Sequence, residues 1–114
     1  MVALRLNTTI RVQAAVRCAS LSGYAVTVLH KGEPTSGSLM VKLDRRDLGC
    51  MVMIETRDGK DAQAWFRGTG PEPVEDTVAS AYIDRALKRD PDLWIVEIDD
   101  REGRFPFDGT ILDG

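Results

Sequence analysis

The dipeptide Asp58-Gly59 constrains this 114-residue chain more than any other pair of residues. It lies in "RDGK" between two short runs, "CMVMIET" (50–56) and "DAQAWF" (61–66). A type I′ turn needs positive φ at both central residues, and Asp-Gly supplies them at little cost. The two runs therefore read as strands of one antiparallel hairpin. A two-residue loop would set Val52 across from Trp65 and Met51 across from Phe66. Both faces of the hairpin carry a large aromatic, so the pattern does not choose the buried one.

Two further runs precede the hairpin. "YAVTVLH" (24–30) is β-branched and apolar on both faces, the pattern of a well-covered strand. "SLMVKL" (38–43) alternates, with Leu39, Val41 and Leu43 on one face and Ser38, Met40 and Lys42 on the other. The loop "KGEPTSG" separates them, and "DRRDLG" turns the chain into the hairpin.

Helical spacing brackets these strands. At the start, Asn7, Thr8 or Thr9 can cap a helix whose apolar stripe is Ile10, Ala14, Cys18 and Leu21, widened by Ala15 and Ala19. Gly23 ends it. After the hairpin, "RGTGPEPVEDTVASAYIDRALKRDPD" reads as a second helix, with Pro71 and Pro73 in its first turn after Thr69 or Gly70. Glu72, Glu75 and Asp76 suit the positive end, and Arg85, Lys88 and Arg89 the negative end. Val74, Val78, Ala81, Tyr82 and Ala86 line its apolar face. Asp90-Pro91 stops it, because a residue before proline avoids α geometry. "LWIVEI" (93–98) follows as a strand, and an edge strand could run across 104–107 despite Pro106.

The order α-β-β-β-β-α-β predicts one α+β domain over 1–107, with residues 108–114 as a C-terminal tail. It is an antiparallel four-strand meander with two helices on one face, plus a further strand that returns by a helical crossover to a non-sequential position. The length supports one hydrophobic core without metal or disulfide staples. Cys18 and Cys50 are too few and too far apart for either, and both read as buried inert thiols.

Charge narrows the function classes. Eighteen acidic residues outnumber fifteen basic ones, for a net charge of -3. That balance disfavours nucleic acid as a partner, even though Arg5, Arg11 and Arg17 recur near the start and Lys42, Arg45 and Arg46 surround one turn. No run approaches a membrane span, and Arg5, Asn7 and Arg11 interrupt any signal-like apolar core. The expected setting is cytoplasmic, with no membrane partner.

The densest chemistry lies in "DPDLWIVEIDDREGR" (90–104). On a strand, Glu97 and Asp99 point the same way, their Cα atoms about 6.6 Å apart. With a third carboxylate from Asp44, Glu55 or Asp61 they would hold a divalent ion, and Arg57 or Lys60 would face a phosphate. The plainer reading is a strand leaving the core, its acids hydrated and neutralised by Arg101 and Arg104. His30, the single histidine, ends an apolar strand and reads as structural rather than as a general base. The helix start after Thr69-Gly70 is a poor anion site, because two prolines remove donors and three acids repel.

This same passage resembles the signature of a small alphaproteobacterial family known as domain of unknown function 1491. The N-terminal helix, "VLHKGEPTSGSLMVKL" and the second helix extend the resemblance over most of residues 5–104. It implies a bacterial, cytoplasmic protein of this size. It brings no activity, ligand or catalytic residue to any position, and the tail beyond Phe107 lies outside it.

Sequence reasoning therefore expects a non-catalytic module that needs no cofactor and acts through protein association, with itself as a homodimer or with another protein. The expected interface is an uncovered sheet face carrying Met40, Met51, Met53, Trp65 and Trp94. The alternatives are a metal-dependent phosphoryl or phosphodiester enzyme using Glu97 and Asp99, and a nucleic-acid-binding module.

Overall fold

The computed structural model describes residues 7–57 and 63–112. Two helices and six strands appear in the order α1 (Thr8–Ser22), β1 (Ala25–His30), β2 (Leu39–Asp44), β3 (Cys50–Arg57), β4 (Gln63–Arg67), α2 (Asp76–Arg89), β5 (Trp94–Asp99) and β6 (Thr110–Ile111), with a 3-10 turn at Arg46–Leu48. They form one six-stranded sheet ordered β1-β5-β2-β3-β4-β6.

The α+β class, the two helices and the crossover strand are all present. The meander, however, runs through β2, β3 and β4 alone. β5 inserts between β1 and β2, antiparallel to the first and parallel to the second, so the sheet is mixed. A parallel partner requires a long crossover, which α2 provides.

The helices lie on opposite faces, not on one. Val12 and Ala19 of α1 pack with Val26, Val41, Met53, Trp65, Val96 and Ile98. Ala79, Ile83 and Ala86 of α2 pack with Met40, Cys50, Val52 and Ile95 on the other side. Two covered faces explain why the central strands are apolar at successive positions. β5 shows it best, with Trp94, Ile95 and Val96 all buried.

Beyond α1, the first face is closed by residues 104–112. Expected as an edge strand, 104–107 is instead irregular, and Phe105 and Phe107 pack on Trp65 with ring centroids 5.0 and 5.5 Å away. Trp65 Nε1 donates to the Asp108 carbonyl at 2.8 Å, and β6 then runs parallel to β4. The segment set apart as a tail thus contributes a strand to the sheet.

Trp65 also decides the hairpin register. The Asp58-Gly59 turn lies outside the described residues. Trp65 faces Glu55, three positions on from Val52, and Phe66 faces Ile54. Slipping a strand exchanges its faces. The observed pairing buries Trp65 completely and leaves Phe66 39% exposed.

Each helix is rotated from its expected orientation. Asn7 caps α1 by accepting from the Ile10 N–H, and Gly23 ends it at φ 85°. The first turn is tied down by Thr8 N–H to Thr35 O, Thr9 N–H to Pro34 O and the Thr8 hydroxyl to Gly37 O. That anchor buries Val12, Ala15 and Ala19, and turns Ile10, Cys18 and Leu21 outward. α2 starts at Asp76, not after Gly70, because Val74 exchanges both backbone hydrogen bonds with Cys50 at 2.8 Å and so is held extended. Its buried face is Ala79, Ile83 and Ala86, while Val78 and Ala81 are exposed.

β1, expected to be well covered, is an edge strand with one buried residue, Val26. A bulge between Val28 and His30 breaks its pairing with β5.

Candidate functional site

The acidic passage is built into the α2 face and its rim. Pairing sets Thr27, Glu97, Lys42 and Val52 in one cross-strand row. Lys42 is buried, and its Nζ lies 3.3 Å from Glu97 and in a short contact with Asp76 at the start of α2. Burial alone would lower the ammonium pKa. Hydrogen bonds to Asp76 and Glu97, helped by their charges, outweigh it and raise the pKa.

The next row holds Ala25, Asp99, Asp44 and Cys50. Asp99 accepts from Arg46 Nε at 3.0 Å, and Asp44 accepts from the Arg46 N–H at 2.8 Å. Cys50 is buried, which pushes its thiol up to about 11, with the Asp44 charge adding to the rise. Asp100 caps the turn after β5. It is 5% exposed and accepts from Arg104 Nε at 2.9 Å and from the N–H groups of Glu102 and Arg104. The hydrogen bond from the Arg104 side chain, followed by the backbone donors, holds its carboxyl down at about 2.

Glu97 and Asp99 thus serve different cations, Lys42 and Arg46. Among the described residues, the group whose oxygen and sulfur atoms come close enough for a metal ion is another one. Asp44, Cys50 and Asp76 have ligand atoms within 4.8 Å of one another. Of the expected third carboxylates, Asp44 belongs to it. Glu55 lies on the α1 face and binds Arg11, Gln63 and the Leu39 N–H, whereas Asp61 and Lys60 fall outside the described residues. The trio fits a cation poorly. An ion would have to displace the Cys50 proton and compete with the Lys42 ammonium already at Asp76.

The remaining candidates are mostly structural. His30 Nδ1 is 2.8 Å from the Leu93 carbonyl, which fixes the end of β1 to the loop before β5. Thr69 precedes extended chain rather than a helix, and its hydroxyl receives the Val52 N–H at 3.4 Å. The cations of the nucleic-acid reading are largely committed: Arg11 to Glu55, Arg45 to the Arg101 carbonyl, Arg46 to Asp99. Arg5 lies outside the described residues. Met40, Met53, Trp65 and Trp94 are buried and Met51 is half-buried, because both sheet faces are covered. The expected interface residues are core residues.

A different surface is open. Between α1 and β1 runs a groove of about 760 Å³ whose floor is Val12, Val16, Val28 and Trp94, with Leu21 at one end. Val16, Leu21, Val28 and Leu29 stand 37%, 80%, 39% and 51% exposed. Three of these, Val16 and Leu21 from α1 and Val28 from β1, line the groove, and Leu29 is exposed next to Val28 on a strand that has one hydrogen-bonded neighbour among the described residues. The two-sided apolar pattern of "YAVTVLH" carried this signal, but it reads equally well as a buried strand.

Comparison with known proteins follows the whole outline. Residues 6–108 match the family described as "Protein of unknown function (DUF1491)". A crystal structure of a DUF1491 family protein from Caulobacter crescentus is 34% identical, with TM-score 0.85 over 95% of this chain and 100% of that one. An NMR structure of a DUF1491 family protein from C. crescentus gives 33% identity and TM-score 0.83 over 96% and 99% of the two chains. A solution structure from A. tumefaciens shares the fold at 23% identity, with TM-score 0.71 over 84% and 86%. No curated protein matches the chain. No helix among the described residues is long and apolar enough to cross a membrane.

Proposed function

Since the chain belongs to the DUF1491 family, whose description carries no activity, we propose from its own surface that it is a non-catalytic cytoplasmic module acting by protein association. The contact surface is the α1–β1 edge. The observation that carries this reading is the exposed apolar lining of the groove, Val16, Leu21 and Val28, with Leu29 exposed next to it on a strand whose outer side carries no other strand among the described residues. Apolar area left in water along an unpaired edge favours a partner. The described titratable groups of the acidic passage support it: the acids of 97–102 are answered by Lys42, Arg46 and Arg104, and the buried thiol stays protonated at neutral pH.

Photo-crosslinking in living cells tests it. A benzophenone side chain replacing Leu29 should give adducts that disappear when Val28→Asp is added, while the same probe replacing Arg89 gives none. Equal labelling at both positions, or none at Leu29, refutes the reading.

A further inference from the structure

The occupant of the α1–β1 groove can be narrowed, and this step rests on reading that edge as an association surface. We propose that the groove docks an amphipathic helix with acidic flanks, supplied by a different protein.

Charge gives the first argument. Two cations, Arg17 and Lys31, border the apolar floor, and no acidic side chain among the described residues lines the groove. Neither cation has a carboxylate partner among the described residues, whereas Arg11, Arg46, Arg101 and Arg104 each have one. The chain as a whole is negative, so this groove is a local reversal of sign; the acids Asp99, Asp100 and Glu102 line the adjoining pocket at the Gly23 end instead, beside Arg46 and Arg101. The complement is an apolar stripe flanked by carboxylates.

Shape gives the second. The α1 positions that face the groove are Thr9, Val12, Gln13, Val16, Arg17 and Ser20, spaced by three and four. The groove therefore follows the helix axis for about 17 Å at 1.5 Å per residue, which is three turns of an apposed helix. An apolar residue at every third or fourth position of the partner would meet Val12, Val16 and Val28 in turn.

The other occupants fit less well. An extended peptide adding to β1 finds regular backbone as far as Val28, where the bulge toward His30 interrupts the register. A second copy related by a two-fold axis would bring Arg17 and Lys31 of both protomers to one seam. Neither α1, "TTIRVQAAVRCASLS", nor β1, "AVTVLH", contains an acidic residue to answer them.

Selection from a phage-displayed library of random 16-residue peptides, followed by NMR mapping on the full chain, decides between them. The expected ligands carry apolar residues at helical spacing and a net negative charge, and shift amide signals of Val12, Val16, Val28 and Lys31. Arg17→Glu with Lys31→Glu should weaken them at least ten-fold, and lysine-flanked versions of the peptides should regain binding to that variant. Both positions are exposed, so the fold is not at stake. Groove-bound ligands that are neutral, basic or extended would overturn the acidic helix yet leave the association surface standing. Selected peptides that bind elsewhere, or no enrichment at all, would overturn the proposal outright. So would a dimer in light scattering that Leu21→Glu converts to monomer, because the occupant would then be a second copy.

Discussion

Replacing Gly32 with alanine should cost far more than its position in a surface loop suggests. The loop from Gly32 to Ser38 is zipped to the start of β5. Glu33 N–H donates to Asp92 O at 3.0 Å, Trp94 Nε1 to Glu33 O at 2.8 Å, and Trp94 N–H to Ser38 O at 2.9 Å. A methyl group at Gly32 would lie 2.1 Å from Asp92 O, 2.6 Å from Leu93 C and 2.7 Å from Leu93 O. Carbon–oxygen contacts settle near about 3.3 Å, so the two backbones must part by about 1 Å. That stretch breaks the Glu33–Asp92 bond and strains the one from Trp94, at about 1 kcal/mol each, and overpacking adds a similar amount, for a total of about 3 kcal/mol. Gly23 is the control. It has positive φ but nothing within 4 Å, so alanine there meets backbone strain alone, about 1 kcal/mol. Urea unfolding should lower the midpoint by at least about 1 M for Gly32→Ala, taking a slope of 1–3 kcal/mol per molar. The change for Gly23→Ala should be about one-third as large. A Gly32→Ala variant no less stable than Gly23→Ala would refute the reasoning, since the close approach would then be absent.

Three other outcomes follow from the same geometry. In native protein at neutral pH, Cys18 should react readily with a thiol reagent and Cys50 only after unfolding, because Cys50 is buried with its pKa pushed up to about 11; two fast thiols would contradict this. Asp100 is held at about 2, below its ordinary value. Its share of stability is therefore fully present above about pH 4 and lost as pH falls through about 2. Thermal melts of Asp100→Asn should show a flatter acid limb than wild type across that window, and superimposable limbs would disprove the role. Arg11→Met should destabilise by about 2–4 kcal/mol, since Glu55, with its side chain 5% exposed, loses a charged partner but keeps Gln63 and the Leu39 N–H; calorimetry reading less than half of that range would refute it.

Local chemistry was readable from the sequence where a residue acts on its neighbours. Asn7 and Gly23 bound α1, Asp90-Pro91 follows α2, and the cores of β1 to β5 lie close to where the apolar runs put them, whereas β6 was not expected. What remained hidden depends on contacts distant in sequence. The rotation of α1 is set by Thr35, Pro34 and Gly37 reaching Thr8 and Thr9 across the following loop. The hairpin register places Trp65 across from Glu55 and buries it against C-terminal aromatics some forty positions away, a contact that no residue of the hairpin itself announces. The acids illustrate the same limit. Nothing local pairs Glu97 with Lys42; the parallel β2–β5 ladder does, once β5 inserts beside β2. Sequence reasoning treated the acids as a strand end neutralised by Arg101 and Arg104, and Arg104 alone of these holds an acid of that passage, since Arg101 pairs with Asp47.

The insertion of β5 also orders events during synthesis. β1 has no hydrogen-bonding strand until Trp94–Asp99 has left the ribosome, and the contact between His30 and Leu93 spans 63 positions. At about 5–20 residues per second, the nascent β1 waits about 3–13 s with its apolar side chains unsheltered. A translational pause placed between codons 31 and 94 should lengthen that interval further.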